Sequence, residues 1–260
     1  MDVKQYLERI NIKTIQPAND SFLAQLHLNH LMAVPFENLD IRQGIRIVLA
    51  EKKFYEKIVH RRRGGFCYEL NGLFRRLLAE LGFSVSIASG RVYIASDDRF
   101  SPEFDHMVLL VQMDKTILVD VGFGDCFRKP IALPDGSTED VSGRYRITPP
   151  GAHKDVYILE RQEKGAWCPV YSFTSAPRQL LDFTEICDFN QSSPDSHFTQ
   201  QTICSIATEN GRVTLTENSL AITEDDKERN VPVESPEMFQ QLLVKIFNIS
   251  IDSQPIHRRK

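Results

Sequence analysis

The sequence has few cysteines, and they are not paired. Its 260 residues contain five, and no two of them form a C-x-x-C pair. They are widely spaced along the chain, at Cys67, Cys126, Cys168, Cys187 and Cys204. Disulfide frameworks and zinc knuckles both need regularly or closely spaced cysteines, so we expect neither. Free thiols suit a reducing compartment, and we therefore predict a cytoplasmic protein.

Long apolar runs are also missing. No stretch approaches the ~18 apolar residues that a membrane-spanning helix needs. The first six residues, M-D-V-K-Q-Y, do not begin an apolar signal-peptide core. We expect neither a signal peptide nor a membrane partner.

Positive charge is not in excess, since 31 Lys and Arg face 35 Asp and Glu for a net charge of -4. Nucleic-acid-binding proteins usually carry a basic excess, so we exclude a nucleic-acid partner. The basic run His60–Arg63 is a local exception to the charge balance of the chain. There is no G-x-x-x-x-G-K-[ST] loop for a nucleotide. His27 and His30 have the spacing of a helical metal pair, but no third ligand is evident, and we predict no metal site.

The patterns that are present divide the chain into three regions. Residues 1–83 show apolar residues at helical spacing, and the last predicted helix begins near Cys67 and ends at Gly82. Residues 84–190 are rich in short apolar strands without intervening helices, which predicts an antiparallel barrel. Residues 191–260 combine a hairpin signal at Asn210–Gly211 with a helix after Ser235–Pro236. The predicted fold class is α+β: a helical bundle, a β-barrel and a smaller α/β layer.

Cys67 lies in or near the first turn of a predicted helix. A free thiol has a pKa near ~8.5 and is mostly protonated at neutral pH. Three features would lower that pKa: the helix N-terminus, the cations Arg61–Arg63, and backbone N–H groups left free by Gly64–Gly65. The alternative is a small buried hydrophobic residue after a plain glycine turn.

A nucleophilic thiol needs a base, and the base needs an orienting group. His106 begins an apolar strand and is the candidate base; the alternative is a surface histidine or one whose hydrogen bonds are satisfied within the fold. Asp120 interrupts a strand that is apolar on both sides, where an unpaired carboxylate is costly. The alternative for Asp120 is an edge-strand charge that points to water.

The pairing of these two strands decides whether the base and the carboxylate meet. A two-residue turn at Asp114–Lys115 would place Asp120 opposite Leu109, with His106 on the other face. An odd-length loop or a bulge would move Asp120 opposite Val108 or Leu110, on the face of His106. We therefore predict an odd-length loop or a bulge. His106 would then take the thiol proton, giving a thiolate–imidazolium pair, and backbone N–H groups near Cys67 would form an oxyanion hole.

Five motifs resemble, in order, those of the arylamine N-acetyltransferase family. They are P-F-E-N-L at 35–39, R-G-G-F-C-Y-E-L-N-G at 63–72, D-H-M-V-L at 105–109, V-D-V-G-F-G at 119–124, and the segment 190–198. Five ordered motifs are far more specific than any one of them. Phe66 stands where many relatives carry tryptophan, which keeps an aromatic ring at that position.

The resemblance implies a cysteine-protease-like core with a C-terminal α/β lid over the bundle and barrel. It implies a Cys67, His106 and Asp120 triad that carries acetyl from acetyl-CoA to arylamines, hydrazines or arylhydroxylamines. We expect a monomer or weak homo-oligomer.

The resemblance also implies substrate contacts. Phe36, in a predicted loop, and Phe123 would line the acceptor pocket, and we expect Val92 beside them. The CoA arm would lie between barrel and lid, near Gly124 and Ser196.

Two other classes stay open at this point. A transglutaminase-like or papain-like hydrolase would use the same triad order with water as the final acceptor. A binding domain that has lost its activity would retain an unreactive Cys67. The family also contains amide synthases that take larger acyl thioesters, so the donor is not fixed by the motifs.

Overall fold

The computed structural model describes residues 1–151, 155–225 and 227–251. The end of the predicted third domain, residues 252–260, lies outside these ranges. In the described part of the chain, no helix is long and apolar enough to cross a membrane.

The first region is helical, as its apolar periodicity predicts. One two-residue strand, β1 (Phe36–Glu37), and a single-turn π-helix, Glu56–His60, interrupt the helices. The α-helices are α1 (Val3–Arg9), α2 (Asp20–Ala33), α3 (Leu39–Arg42), α4 (Glu51–Tyr55) and α5 (Cys67–Glu80). Helix α5 is the centre of this region, because most of its residues from Cys67 to Leu78 are buried.

The second region is an antiparallel sheet that curls into a nearly closed barrel. Its strands are β2 (Ser84–Ile94), β3 (Arg99–Phe100), β4 (His106–Gln112), β5 (Thr116–Val119), β6 (Ile131–Ala132), β7 (Ser137–Asp140), β8 (Gly143–Thr148), β9 (Val156–Glu163) and β10 (Ala166–Thr174). They follow the order β6-β5-β4-β2-β10-β9-β8-β7, and β3 pairs with β2. The two end strands, β6 and β7, contact each other and bring the ends of the sheet together.

The hairpin of β4 and β5 has the register that the chemistry requires. Gln112 pairs with Thr116, so the connecting loop has three residues, and Leu109 pairs with Val119. The next position, Asp120, therefore falls opposite Val108, on the face of His106. The prediction of an odd-length loop is confirmed.

The third region mixes helices with a second antiparallel sheet. A 3-10 turn, Leu180–Phe183, leads into its helices. The elements are α6 (Thr184–Ser192), α7 (His197–Gln200), β11 (Cys204–Thr208), β12 (Gly211–Leu215), β13 (Ser219–Glu224), β14 (Lys227–Pro232) and α8 (Pro236–Phe247). The sheet has the order β1-β11-β12-β13-β14. Ser235 caps α8 as predicted, its hydroxyl accepting from the Met238 N–H at 3.2 Å.

Two contacts join the regions across the predicted boundaries. Strand β1 belongs to the helical region in sequence but pairs with β11 of the second sheet. Phe183 and Cys187 precede residue 190 but pack into the core of the helical region rather than that of the barrel. The division at 83/84 and 190/191 stays a prediction.

Candidate active site

Cys67 is the first residue of α5, and it is buried. The loop that follows β5 approaches it closely: a Cβ added at Gly122 would lie 2.9 Å from the Cys67 Cα and 2.6 Å from the Asn71 Nδ2. Only glycine fits there, so the loop that carries Asp120 is packed directly against the start of the helix that carries Cys67.

The residues before Cys67 have a role other than the one predicted. Arg63 binds Glu37 at 2.9 Å and Asp40 at 2.8 Å, while Arg61 lies at the surface beside Glu56. The Gly65 N–H donates to the Pro35 carbonyl, instead of being free for an anion. Gly64 packs on the same carbonyl, 2.0 Å from where its Cβ would be.

The prediction that these arginines and glycines lower the pKa of Cys67 is therefore wrong. Burial, with Asp105 as the foremost charged contributor, raises the pKa of the Cys67 thiol well above its usual value. A thiolate in this buried environment needs a cation beside it. His106 can supply one, because its ring becomes positively charged when it takes the thiol proton.

His106 and Asp120 form a buried hydrogen-bonded pair. The His106 Nε2 lies 2.7 Å from the Asp120 Oδ2, which leaves the Nδ1 of the ring as the nitrogen for proton exchange. The Asp120 Oδ1 accepts from the Gly122 N–H at 2.8 Å and from the Asn71 Nδ2 at 2.9 Å. Burial opposes the charge, but His106 and these hydrogen bonds hold the pKa of Asp120 below its usual value.

Sequence reasoning missed two residues that support this pair. Asn71 lies four residues after Cys67, on the same face of α5, and its Oδ1 also accepts from the Val121 N–H at 2.9 Å. The spacing from Cys67 was the available signal. His27 is buried in α2, with its Nε2 2.9 Å from the Asp120 carbonyl oxygen and its Nδ1 3.0 Å from the Arg128 carbonyl oxygen. Nothing in the local sequence of α2 indicates that contact.

Cys67 and His106 line one cavity of about 280 Å³. The predicted acceptor residues Phe36, Val92 and Phe123 lie in the same lining. The other lining residues are Ile94, Asp105, Gly122, His197, Phe198, Gln201 and Ile203. Phe36 reaches the cavity from strand β1, not from a loop as predicted. The Phe123 ring packs edge-on against the His106 imidazole, with 5.2 Å between centroids. The cavity is therefore mainly apolar, with the thiol and the imidazole among its walls.

The two residues predicted to contact CoA differ in their surroundings. Gly124 has a φ of +94° and lies against the Phe36 ring, so a side chain there would be strained. Ser196 is buried, and its hydroxyl donates to the Asn190 carbonyl at 2.9 Å and accepts from the Phe198 N–H at 3.3 Å. That hydroxyl fixes the start of α7. A CoA contact at either residue stays a prediction.

Comparison with known proteins finds relatives over nearly the whole chain. A family model described as N-acetyltransferase matches residues 21–256. The arylamine N-acetyltransferase of Mycolicibacterium smegmatis is 34% identical, over 96% of this chain and 93% of that protein. The solved arylamine N-acetyltransferase of Salmonella typhimurium is 30% identical, with a TM-score of 0.90 over 96% of this chain and 92% of that one. The Mycobacterium marinum enzyme, solved in complex with CoA, is 31% identical, with a TM-score of 0.88 over 95% of this chain and 93% of that one.

Proposed function

We propose, since this chain belongs to the arylamine N-acetyltransferase family, that it carries an acetyl group from acetyl-CoA on Cys67 to an arylamine, arylhydrazine or arylhydroxylamine. The observation that carries the proposal is the buried 2.7 Å contact between the His106 Nε2 and the Asp120 Oδ2. It holds the imidazole beside the cavity that Cys67 also lines.

The first half of the reaction loads the thiol. The His106 Nδ1 takes the Cys67 proton, and Asp120 stabilises the imidazolium that results. The thiolate attacks the acetyl carbonyl, a bond from sulfur to the acetyl carbon forms, and the bond to the CoA sulfur breaks. CoA leaves as a thiol after taking the proton from His106. The first-turn N–H groups of α5 stabilise the oxyanion.

The second half transfers the acetyl group. The neutral amine nitrogen attacks the thioester carbonyl, and His106 accepts the proton that the nitrogen loses. The bond to the Cys67 sulfur breaks, and the proton returns to that sulfur. The aromatic rings of Phe36 and Phe123 pack on the ring of the acceptor and exclude water, which favours transfer to an amine over hydrolysis.

The remaining parts of the proposal concern the donor and the setting. The CoA arm lies between the barrel and the second sheet, along Gly124 and the Ser196 region. The M. marinum relative, solved in complex with CoA, supports a CoA thioester as donor. The proposed division is residues 1–83 as the helical bundle, 84–190 as the barrel with Phe183 and Cys187 packed back on the bundle, and 191–260 as the lid. The protein works in the cytoplasm, which keeps the Cys67 thiol reduced, as a monomer or weak homo-oligomer.

A CoA-release assay tests the proposal. Acetyl-CoA is mixed with a panel of anilines, hydrazines and hydroxylamines, free CoA is followed, and products are identified by mass. We expect acetylated amine in proportion to released CoA, and background release with Cys67→Ala. Acetate as the main product would indicate a hydrolase instead, and equal rates for Cys67→Ala would contradict the role of the thiol.

A further inference from the structure

We propose that Asp105 selects acceptors by charge, so that the enzyme acetylates uncharged single-ring arylamines and arylhydrazines and rejects aryl acceptors that carry a carboxylate. This inference rests on the proposed function and specifies its substrate class.

Asp105 is held in a defined position beside the reacting thiol. It precedes His106 at the start of β4 and lines the same cavity as Cys67. Its Oδ1 accepts from the Asn190 Nδ2 at 3.1 Å, and the Tyr68 hydroxyl lies 3.2 Å from its backbone carbonyl. The buried residues Asn190 and Tyr68 also contact each other, at 3.2 Å. Helices α5 and α6 thus fix the residue from two sides.

The charge of Asp105 has no permanent opposite charge in the cavity wall, since the imidazolium that forms on His106 is paired with Asp120. The lining residues given above include neither lysine nor arginine. His197 also lines the cavity, but burial lowers its pKa despite the opposing effect of Asp105, which disfavours the charged ring. The Asp120 carboxylate is paired with His106. The neighbouring acid, Glu103, is bound by Arg178 at 2.6 Å. Asp105 is the one acid among the described lining residues, and it forms no ion pair with a basic side chain in the described part of the chain.

An uncompensated carboxylate in a mainly apolar cavity acts on acceptors in two ways. It repels a second carboxylate strongly, because the aromatic walls reduce solvent screening. It also accepts hydrogen bonds. It is near enough to Cys67 that its charge adds to burial in raising the pKa of the thiol. The N–H groups of an aniline or hydrazine that approaches the thioester are suitable donors.

The volume of the cavity limits the size of the acceptor. At about 280 Å³, it lies just below the range of roughly 300–1,000 Å³ that is typical of sites for drug-sized ligands. One aromatic ring beside the acetyl group suits that space.

Two acceptors of the same shape and different charge test the proposal. The values of kcat/KM are measured for 4-aminobenzamide and 4-aminobenzoate with wild type, Asp105→Asn and the control Glu103→Gln. Wild type is expected to prefer the amide by at least about 10-fold. Asp105→Asn should lower that ratio at least about 5-fold, mainly through the KM of the benzoate, because asparagine keeps the bond to Asn190 without the charge. Glu103→Gln should leave the ratio unchanged.

The outcomes separate this inference from the proposed function. Acetylation of Cys67 by acetyl-CoA is measured in the same samples without acceptor. If Cys67 is acetylated and wild type uses the benzoate as well as the amide, charge selection is wrong and the acetyltransferase proposal stands. That result needs no variant, so it holds even where Asp105→Asn folds poorly. An unchanged ratio in a folded Asp105→Asn variant leads to the same conclusion, while failure of Cys67 to become acetylated would overturn both.

Discussion

Among single side chains, burial decides the chemistry of Cys67. The thiol is almost fully covered, and burial together with the Asp105 and Asp120 carboxylates raises its pKa. Such a thiol reacts at neutral pH only when its proton passes to a base that becomes a stabilised cation. His106, held by Asp120, meets that requirement, whereas Arg61 and Arg63 do not.

The pH dependence of alkylation tests this role of His106. Wild type should react with iodoacetamide at pH 6, because the imidazolium stabilises the thiolate. In His106→Asn the effect of burial remains without the cation, so alkylation should be at least about 10-fold slower at pH 6 and rise only at alkaline pH. Rates are followed from pH 5 to 10 by mass spectrometry of the Cys67 peptide. Cys168, the one described cysteine that is not buried, provides an internal control. Coincident pH profiles for the two proteins would contradict the pairing.

A second set of buried charges lies at the base of the Cys67 helix. Lys57 binds Glu69 and Asp40, each at 2.9 Å, while Arg63 binds Asp40 and Glu37. Three carboxylates thus share two cations, and burial raises the pKa of Glu69 to about 7. Glu69 also accepts a hydrogen bond from the Phe66 N–H at 3.2 Å, so its charge affects the backbone immediately before Cys67.

Glu69 should make stability depend on pH in a direction opposite to that of most acids. Its pKa is about 7 in the folded chain, and an unfolded glutamate has a pKa of about 4.3. Because the folded chain binds this proton more tightly than the unfolded chain, protonation of Glu69 stabilises the fold. That stabilisation is complete below about pH 4 and is lost as the pH rises through about 7. The unfolding free energy of wild type relative to Glu69→Gln should fall by on the order of 1–3 kcal/mol between pH 5 and 8. Urea unfolding measures this difference, and Glu80→Gln, on the exposed end of α5, is the matched control. A difference that does not vary with pH would show that Glu69 is ionised throughout.

Among helices and strands, the contact between α5 and the loop after β5 determines the site geometry. Gly122 lies against Cys67 and Asn71, and Asn71 bonds both Asp120 and the Val121 N–H. The helix that carries the nucleophile and the strand that carries the carboxylate are therefore fixed by the same few atoms. A displacement of this loop would move Asp120 away from His106.

The substitution Gly122→Ala tests that contact. Its Cβ would lie 2.6 Å from the Asn71 Nδ2 and 2.9 Å from the Cys67 Cα, so one element must shift. We expect a loss of about 1–3 kcal/mol in unfolding free energy and at least about a 10-fold loss in the rate of Cys67 acetylation. Gly151→Ala is the control, since nothing lies within 4 Å of its Cβ position. Rapid-quench acetylation and urea unfolding give the two values, and normal acetylation by Gly122→Ala would show that the close approach is dispensable.

Local sequence patterns were sufficient to predict part of this arrangement. The start of α5 at Cys67 follows from helical periodicity, and the three-residue loop between β4 and β5 follows from the need to bring Asp120 to the face of His106. Contacts between distant segments were not predictable in this way. His27 reaches Asp120 across 93 positions, and β1 pairs with β11. Local spacing carries no information about which distant backbone group a buried polar side chain will meet.

For the molecule as a whole, the site depends on all three regions. Phe36 and Cys67 come from the helical region, His106 and Phe123 from the barrel, and Phe198 from the third region. The third region is also bound to the barrel by charge. The Arg128 guanidinium donates to the Thr208 and Gly211 carbonyls, and Asp125 binds both Arg161 and Arg212. These bonds hold the second sheet against the barrel.

Acetylation of the isolated chain tests the central claim, that Cys67 carries the acetyl group, most directly. Wild type is mixed with acetyl-CoA in the absence of amine, and intact mass and peptide mapping follow the modification while free CoA is measured. We predict one acetyl group per chain, on Cys67, with an equal amount of CoA released, and its disappearance as acetylated amine when an aniline is added. Acetylated aniline formed while Cys67 stays unmodified, or an acetyl group transferred from another residue, would contradict the account.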